Sequence, residues 1–187
     1  IDRKYVSGIS AEPSKARLLK RLVKVVNSLG AELVADDSVR AIVVTGTGDR
    51  AFCAGADLTE FYELLNEDPD VLAEYILELA TLLHTQVIEK IYLLNKPVIA
   101  CINGVAAGAG MSLSLACDLR LCSQSSRFVM AYSQIGCTAD GGSTYFLPRL
   151  VGLGKAKELY LMNSPISADY AHEIGLVNQV VPDSAFD

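Results

Sequence analysis

Residues 96–118 read KPVIACINGVAAGAGMSLSLACD, and they predict a buried strand, a turn of small residues and a helix in direct succession. Pro97 to Ile102 is an apolar run of strand length without polar alternation, as expected of a strand covered on both faces. From Gly104 to Gly110 no side chain exceeds valine, so another group can approach the main chain closely. Met111 to Cys117 then has the apolar content of a helix, which would put the amides of Gly108 to Gly110 at a helix start with N–H groups unused. Two readings fit this stretch equally: a donor site for a partly negative ligand atom, or a tight turn that merely permits close packing.

Working outward, residues 13–29 place Ala16, Leu19, Leu22, Val23, Val26 and Leu29 at helical spacing behind Pro13. Arg40 to Gly46 reads as a second buried strand running into GTGDRAFCAGADL at 46–58, a second loop of small residues. Its amides near Gly55 and Ala56 form a second candidate donor site, and Asp57 is positioned to cap a helix over 58–65. Residues 69–92 carry Val71, Ile76, Leu79, Leu82, Leu83, Val87, Ile88 and Ile91 on one helical face. His84 lies inside that helix, where a packed or solvated histidine is the commoner reading than a catalyst.

Beyond the central helix, 118–122 and 128–131 predict two short strands, and 132–144 a loop carrying an isolated Asp140. Helices are expected over 145–151, 155–162 and 168–174, with a last strand over 176–181. The pattern is α/β, with no repeat or linker that divides the chain.

Composition narrows the class. The chain has 187 residues, 51% of them hydrophobic, enough for one full core. Sixteen Lys and Arg against 22 Asp and Glu leave a net charge of −6, and the basic residues do not interleave with aromatics as a nucleic-acid surface requires. No apolar run is expected to span a membrane, and no leader pattern opens the chain. The five cysteines (Cys53, Cys101, Cys117, Cys122 and Cys137) are odd in number and lack CxxC spacing. They are expected to be reduced core residues in a cytoplasmic protein, with no metal site.

Four stretches taken together, AFCAGADL at 51–58, KPVIACINGVAAGAGMSLSLACDLRL at 96–121, DGGSTYFLPRLVG at 140–152 and ISADYAHEIGLVNQVVP at 166–182, resemble the crotonase (enoyl-CoA hydratase/isomerase) superfamily. The resemblance covers roughly residues 15 to 183. It implies a spiral core of repeated ββα units with surrounding helices, a homotrimer or hexamer, and an acyl-CoA thioester as substrate, with coenzyme A part of the substrate and no separate cofactor. By the same resemblance the backbone N–H groups of Ala56 and Ala109 form an oxyanion hole for the thioester oxygen. Family members also begin with a β-hairpin and end with a helical segment. The chain is therefore expected to be a single catalytic core over 1–187 lacking both, with Lys4, Lys15 and Arg17 as candidates for the CoA phosphates.

The acid/base group is where family members differ. Hydratases of the family carry a glutamate pair whose positions are held here by Ser112 and Tyr132. Asp140 stands eight residues beyond Tyr132, at a position similar to the aspartate of dienoyl-CoA isomerases, epoxyphenylacetyl-CoA isomerases and 4-chlorobenzoyl-CoA dehalogenases. The resemblance thus implies an enoyl-CoA isomerase that uses Asp140 for proton transfer, with Tyr132 able to donate one hydrogen bond and no His or Trp expected near Asp140. The alternatives are a hydratase, a dehalogenase-like hydrolase and a catalytically silent acyl-CoA-binding subunit. For Asp140 itself the competing reading is a helix cap. Gly108, Ser112, Tyr132 and Phe61 are expected to line the acyl pocket.

Overall fold

The computed structural model describes residues 35–48 and 50–185. The helix expected over 13–29 and the candidates Lys4, Lys15 and Arg17 lie outside the described residues.

The first six strands alternate between two sheets. Ile42–Thr45 (β1) and Ala51–Cys53 (β2) are followed by the helices Leu58–Glu67 (α1) and Pro69–Leu83 (α2). Helix α2 runs on through a π-helical turn, His84–Ile88, into Glu89–Tyr92 (α3). Val98–Ile102 (β3) and Val105–Ala107 (β4) precede Ala109–Leu115 (α4). Leu119–Ser123 (β5) and Arg127–Val129 (β6) precede Ser143–Val151 (α5) and Leu153–Met162 (α6). Ile166–Ser167 (β7), Ala168–Glu173 (α7) and Gln179–Val181 (β8) complete the order. One sheet has the order β1-β3-β5-β8, with every pair parallel, and the other β2-β4-β6-β7, parallel except at β7. Each ββα unit therefore adds one strand to each sheet before its helix turns back, and this repetition is the spiral that the family resemblance implies.

Strand β3 is an inner strand of the first sheet, fully buried on one face and partly covered at Ile99 and Cys101 on the other. It pairs with β1 from Ile42↔Val98 to Thr45↔Cys101 and with β5 from Ile99↔Leu119 to Ile102↔Cys122. Val98, Ala100 and Ile102 are completely covered and join Phe128, Leu147 and Leu176 in the core. The corner between β3 and β4 is held by Asn103, whose Oδ1 accepts from Gly46 N–H at 3.1 Å. Its Nδ2 donates to the carbonyls of Gly46 at 2.9 Å and Gly48 at 2.5 Å. One buried amide thus ties two successive β–β corners together and satisfies backbone groups that no ladder reaches.

Two sequence expectations are corrected. Residues 46–58 and 104–110 read as continuous loops, yet 51–53 and 105–107 are strands β2 and β4, paired in parallel. Three-residue strands rich in alanine have little intrinsic β preference, and the neighbouring ladders make them. The second correction concerns the long helix. The run Pro69–Tyr92 spans 24 residues with a window of mean hydropathy 1.3, long and apolar enough by composition to cross a bilayer. Its Leu83, Val87, Ile88 and Ile91 are buried in the protein's core, whereas Val71, Leu77 and Tyr92 are exposed.

Candidate active site

Both small-residue loops sit where a strand of the second sheet gives way to a helix. Because β2 and β4 are parallel neighbours, they deliver their following turns side by side. A Cβ on Gly55 (φ +88°) would lie 2.9 Å from the Ala107 carbonyl oxygen and 3.5 Å from the Ala109 nitrogen, so the two turns touch. Gly110 is the second contact point, where a Cβ would collide with the Cys53 carbonyl. Only glycine lets α4 rest this close to β2. Among the described residues, neither the Ala56 nor the Ala109 N–H donates to a protein acceptor, whereas their neighbour Gly108 donates to Val129 at 3.1 Å. Helix α4 starts behind Gly108 (φ 52°) without a side-chain cap. The cap expected of Asp57 is present: Oδ1 accepts from Thr59 N–H at 2.9 Å and starts α1.

One turn into α4, Ser112 begins a chain of hydroxyls. Its Oγ lies 2.8 Å from the Tyr132 hydroxyl, which in turn donates to Asp140 Oδ1 at 2.6 Å. Tyr132 has only one proton and gives it to the carboxylate, so the Ser112 proton points at the phenol oxygen, 2.8 Å away, in preference to the Gly108 carbonyl at 3.3 Å. Both protons are therefore directed towards Asp140. Burial, and then the adjacent carboxylate, raise the Tyr132 pKa well above that of a free phenol, so the hydroxyl remains a donor at any ordinary pH. The helix-cap reading of Asp140 is excluded: α5 is capped at Gly142 with no side-chain hydrogen bond, and Asp140 meets that helix through its main-chain oxygen, which accepts from Ser143.

Asp140 stands in a turn of tight backbone. Gly141 (φ +58°) and Gly142 (φ +71°) follow it, and a Cβ on Gly141 would come within 2.6 Å of Ser112 Cβ. The buried Gly141 N–H donates to His84 Nε2 at 3.1 Å. This overturns the expectation that no histidine stands near Asp140. Periodicity places His84 on a helix without fixing its direction, and the π turn that re-aims it leaves no mark in the sequence. Asn163 was equally invisible. It is buried with φ 53°, and its Oδ1 accepts from the N–H of Ala131 (φ 63°) at 2.5 Å, fixing the residue that leads into Tyr132. An asparagine after a helix is a cap signal in any sequence, and its second partner is a matter of tertiary structure.

The residues expected to line the acyl pocket divide. Tyr132 and Gly108 lie at the site, while Ser112 has no exposed surface and supports Tyr132 from behind. Phe61, on α1, meets Tyr75 of α2 edge-on at 6.2 Å between centroids. A groove of about 290 Å³ opens beside the Asp140 turn, lined by His84, Ile88, Tyr92, Gly142, Tyr145 and Phe146 among others. Its aromatic wall is a packed cluster, with Tyr145 and Phe146 edge-on at 5.2 Å and Tyr92 5.4 Å from Phe146. The Arg149 guanidinium lies 3.6 Å from the Tyr145 ring centroid.

The enoyl-CoA hydratase/isomerase family model matches residues 16–187. Among curated proteins the chain is 40% identical over 148 residues to 1,2-epoxyphenylacetyl-CoA isomerase of Escherichia coli, covering 79% of this chain and 55% of that protein. It is 39% identical to short-chain-enoyl-CoA hydratase of Clostridium acetobutylicum, covering 82% and 56%, and 40% identical to 4-chlorobenzoyl coenzyme A dehalogenase-1 of an Arthrobacter species, covering 82% and 54%. The chain thus spans about half the length of the curated relatives it matches. The crystal structure of enoyl-CoA hydratase from Bacillus anthracis superposes with a TM-score of 0.79 at 35% identity, covering 92% of this chain and 62% of that one. With sequence, strand order and solved relatives in agreement, the chain belongs to the enoyl-CoA hydratase/isomerase family of the crotonase superfamily.

Proposed function

We propose that the protein carrying this chain is an acyl-CoA isomerase in which Ala56 and Ala109 N–H groups hold the thioester oxygen and Asp140 moves a proton. The observation that carries this reading is the hydroxyl chain from Ser112 through Tyr132 to Asp140 Oδ1, which starts on the helix that Ala109 opens. With a 3-enoyl thioester, Asp140 takes the proton from the carbon next to the carbonyl. The electron pair passes to the thioester oxygen, where two backbone N–H groups stabilise the enolate, each worth about 2.7–4 kcal/mol in comparable sites. Asp140 then returns the proton at the far end of the former double bond, giving the 2-enoyl isomer without change of mass. Ser112 and Tyr132, standing where a hydratase would carry its glutamates, supply no second carboxylate for activating water. Assembly as a homotrimer or hexamer is part of the same proposal, and the exposed Leu153, Leu161 and Met162 on α6 are available for burial in it.

A second reading, hydrolytic replacement of a ring halogen on a halogenated benzoyl-CoA thioester with Asp140 as nucleophile, is favoured by the aromatic groove beside Asp140 and by His84 at its edge. A substrate panel separates the readings: a 3-enoyl-CoA, a dienoyl-CoA, crotonyl-CoA and 4-chlorobenzoyl-CoA, each with wild type and Asp140→Asn. A double-bond shift at constant mass that disappears in the variant supports the isomerase. Gain of one water by crotonyl-CoA with the variant still active overturns it, release of chloride selects the second reading, and thioester binding without any turnover identifies a silent subunit.

A further inference from the structure

We infer that His84 is the positioning residue for Asp140, holding the Asp140–Gly141 peptide through its ring nitrogen rather than exchanging protons with substrate. The inference rests on the isomerase reading above for its effect on turnover, but its structural part stands on two independent observations.

The first is the hydrogen bond. Gly141 is buried and its N–H points at His84 Nε2, 3.1 Å away. In this contact Nε2 is the acceptor, which leaves Nδ1 as the ring's other polar atom. Nε2 is then occupied by the peptide that bears Asp140 and is not free to act as a base. The grip falls on a segment with little freedom elsewhere: Gly141 and Gly142 both have positive φ, and Ser112 Cβ and Leu83 Cδ2 crowd Gly141 at 2.6 and 3.3 Å from where a Cβ would stand. On one side Tyr132 holds the carboxylate, and on the other His84 holds the backbone one bond further along.

The second observation is the π-helical turn, His84–Ile88, between α2 and α3. Its wider winding offsets the helix by part of a turn at the residue that reaches Gly141. The turn lets Leu83, Val87, Ile88 and Ile91 all stay in the core while His84 is aimed at the Asp140 turn. A regular helix through the same residues would shift either the core contacts or the histidine. Single π turns cluster at functional sites, and this one has a recognisable product.

The test compares His84→Leu, which keeps bulk but has no acceptor, with His84→Gln, whose Oε1 reaches about as far as Nε2 and accepts the same N–H. Two readouts are taken on each variant: isomerase kinetics on a 3-enoyl-CoA, and hydrogen exchange at the Gly141 amide by nitrogen-15 NMR. For His84→Leu, kcat should fall about tenfold to a hundredfold with KM within about twofold, the size expected when an acid/base group loses its placement by a fraction of an ångström. Gly141 exchange should quicken about fivefold or more. His84→Gln should recover both. Equal loss in the two variants would overturn the inference in favour of direct imidazole chemistry, and unchanged Gly141 exchange in His84→Leu would overturn it outright. Asp140→Asn distinguishes this failure from that of the isomerase reading: if Asp140→Asn keeps full turnover the isomerase reading fails, while the amide readout still decides whether His84 holds the turn.

Discussion

Replacing Tyr132 by Phe removes one oxygen and both hydrogen bonds that meet on it, while the ring that fills the site remains. The bond to Asp140 is short, 2.6 Å, and made to a charged acceptor, a type that contributes about 1.5–3 kcal/mol. Asp140 is half-buried, so water can take over part of the lost solvation and the lower end applies, about 1.5–2 kcal/mol. Ser112 is not orphaned, because its hydroxyl can turn to the Gly108 carbonyl 3.3 Å away. At about 2–4 °C per kcal/mol for a domain of this size, Tm should drop by about 3–8 °C. Turnover should fall further than stability, because Oδ1 loses the donor that fixes its rotamer: kcat is expected to drop about tenfold to a hundredfold with KM nearly unchanged. Differential scanning fluorimetry and isomerase kinetics on the same preparation read both quantities. A Tyr132→Phe protein with wild-type Tm and wild-type kcat would show that the hydroxyl chain neither stabilises nor positions anything.

Gly110→Ala should cost about 3 kcal/mol or more, because the new methyl meets the Cys53 carbonyl, a backbone atom that cannot swing aside. A soluble variant with unchanged Tm would refute that contact between α4 and β2. Asn163→Ala should lose about 2–3 kcal/mol, from a left-handed backbone without glycine or asparagine together with the lost acceptor for Ala131. Asn163→Gly should regain about 1 kcal/mol of it, the backbone part alone. Equal Tm values for the two variants in thermal melts would mean that the backbone strain is not there.

The features legible in the sequence are those carried by local chemistry. The unalternating apolar run at 97–102 announced the central strand, Asp57 announced the start of α1, and the small residues around Gly55 and Gly108 announced turns that something approaches closely. That something proved to be, in part, the other turn, since Gly55 lies against Ala107 and Gly110 against Cys53. Close packing is therefore part of what these turns do, and among the described residues no acceptor takes the N–H groups of Ala56 and Ala109. What the sequence hid depends on pairing across distance. Ala51–Cys53 and Val105–Ala107 become strands only because each finds the other in parallel. The direction of His84 depends on a π turn, and the second role of Asn163 on a loop 32 residues away. Asp140 was identifiable as a candidate, but its choice between capping α5 and accepting from Tyr132 needed the fold, which gives the cap to Gly142 and the carboxylate to Tyr132.

The central claim is that Asp140 carries a proton to and from the carbon next to the thioester carbonyl. Its most direct measurement is solvent deuterium exchange at that carbon, followed by proton NMR of a 3-enoyl-CoA incubated in D₂O with wild type and with Asp140→Asn. The account predicts deuterium uptake and conversion to the 2-enoyl isomer by the wild type, and neither by the variant, which still binds the thioester. Deuterium uptake that persists in Asp140→Asn at the wild-type rate would contradict it.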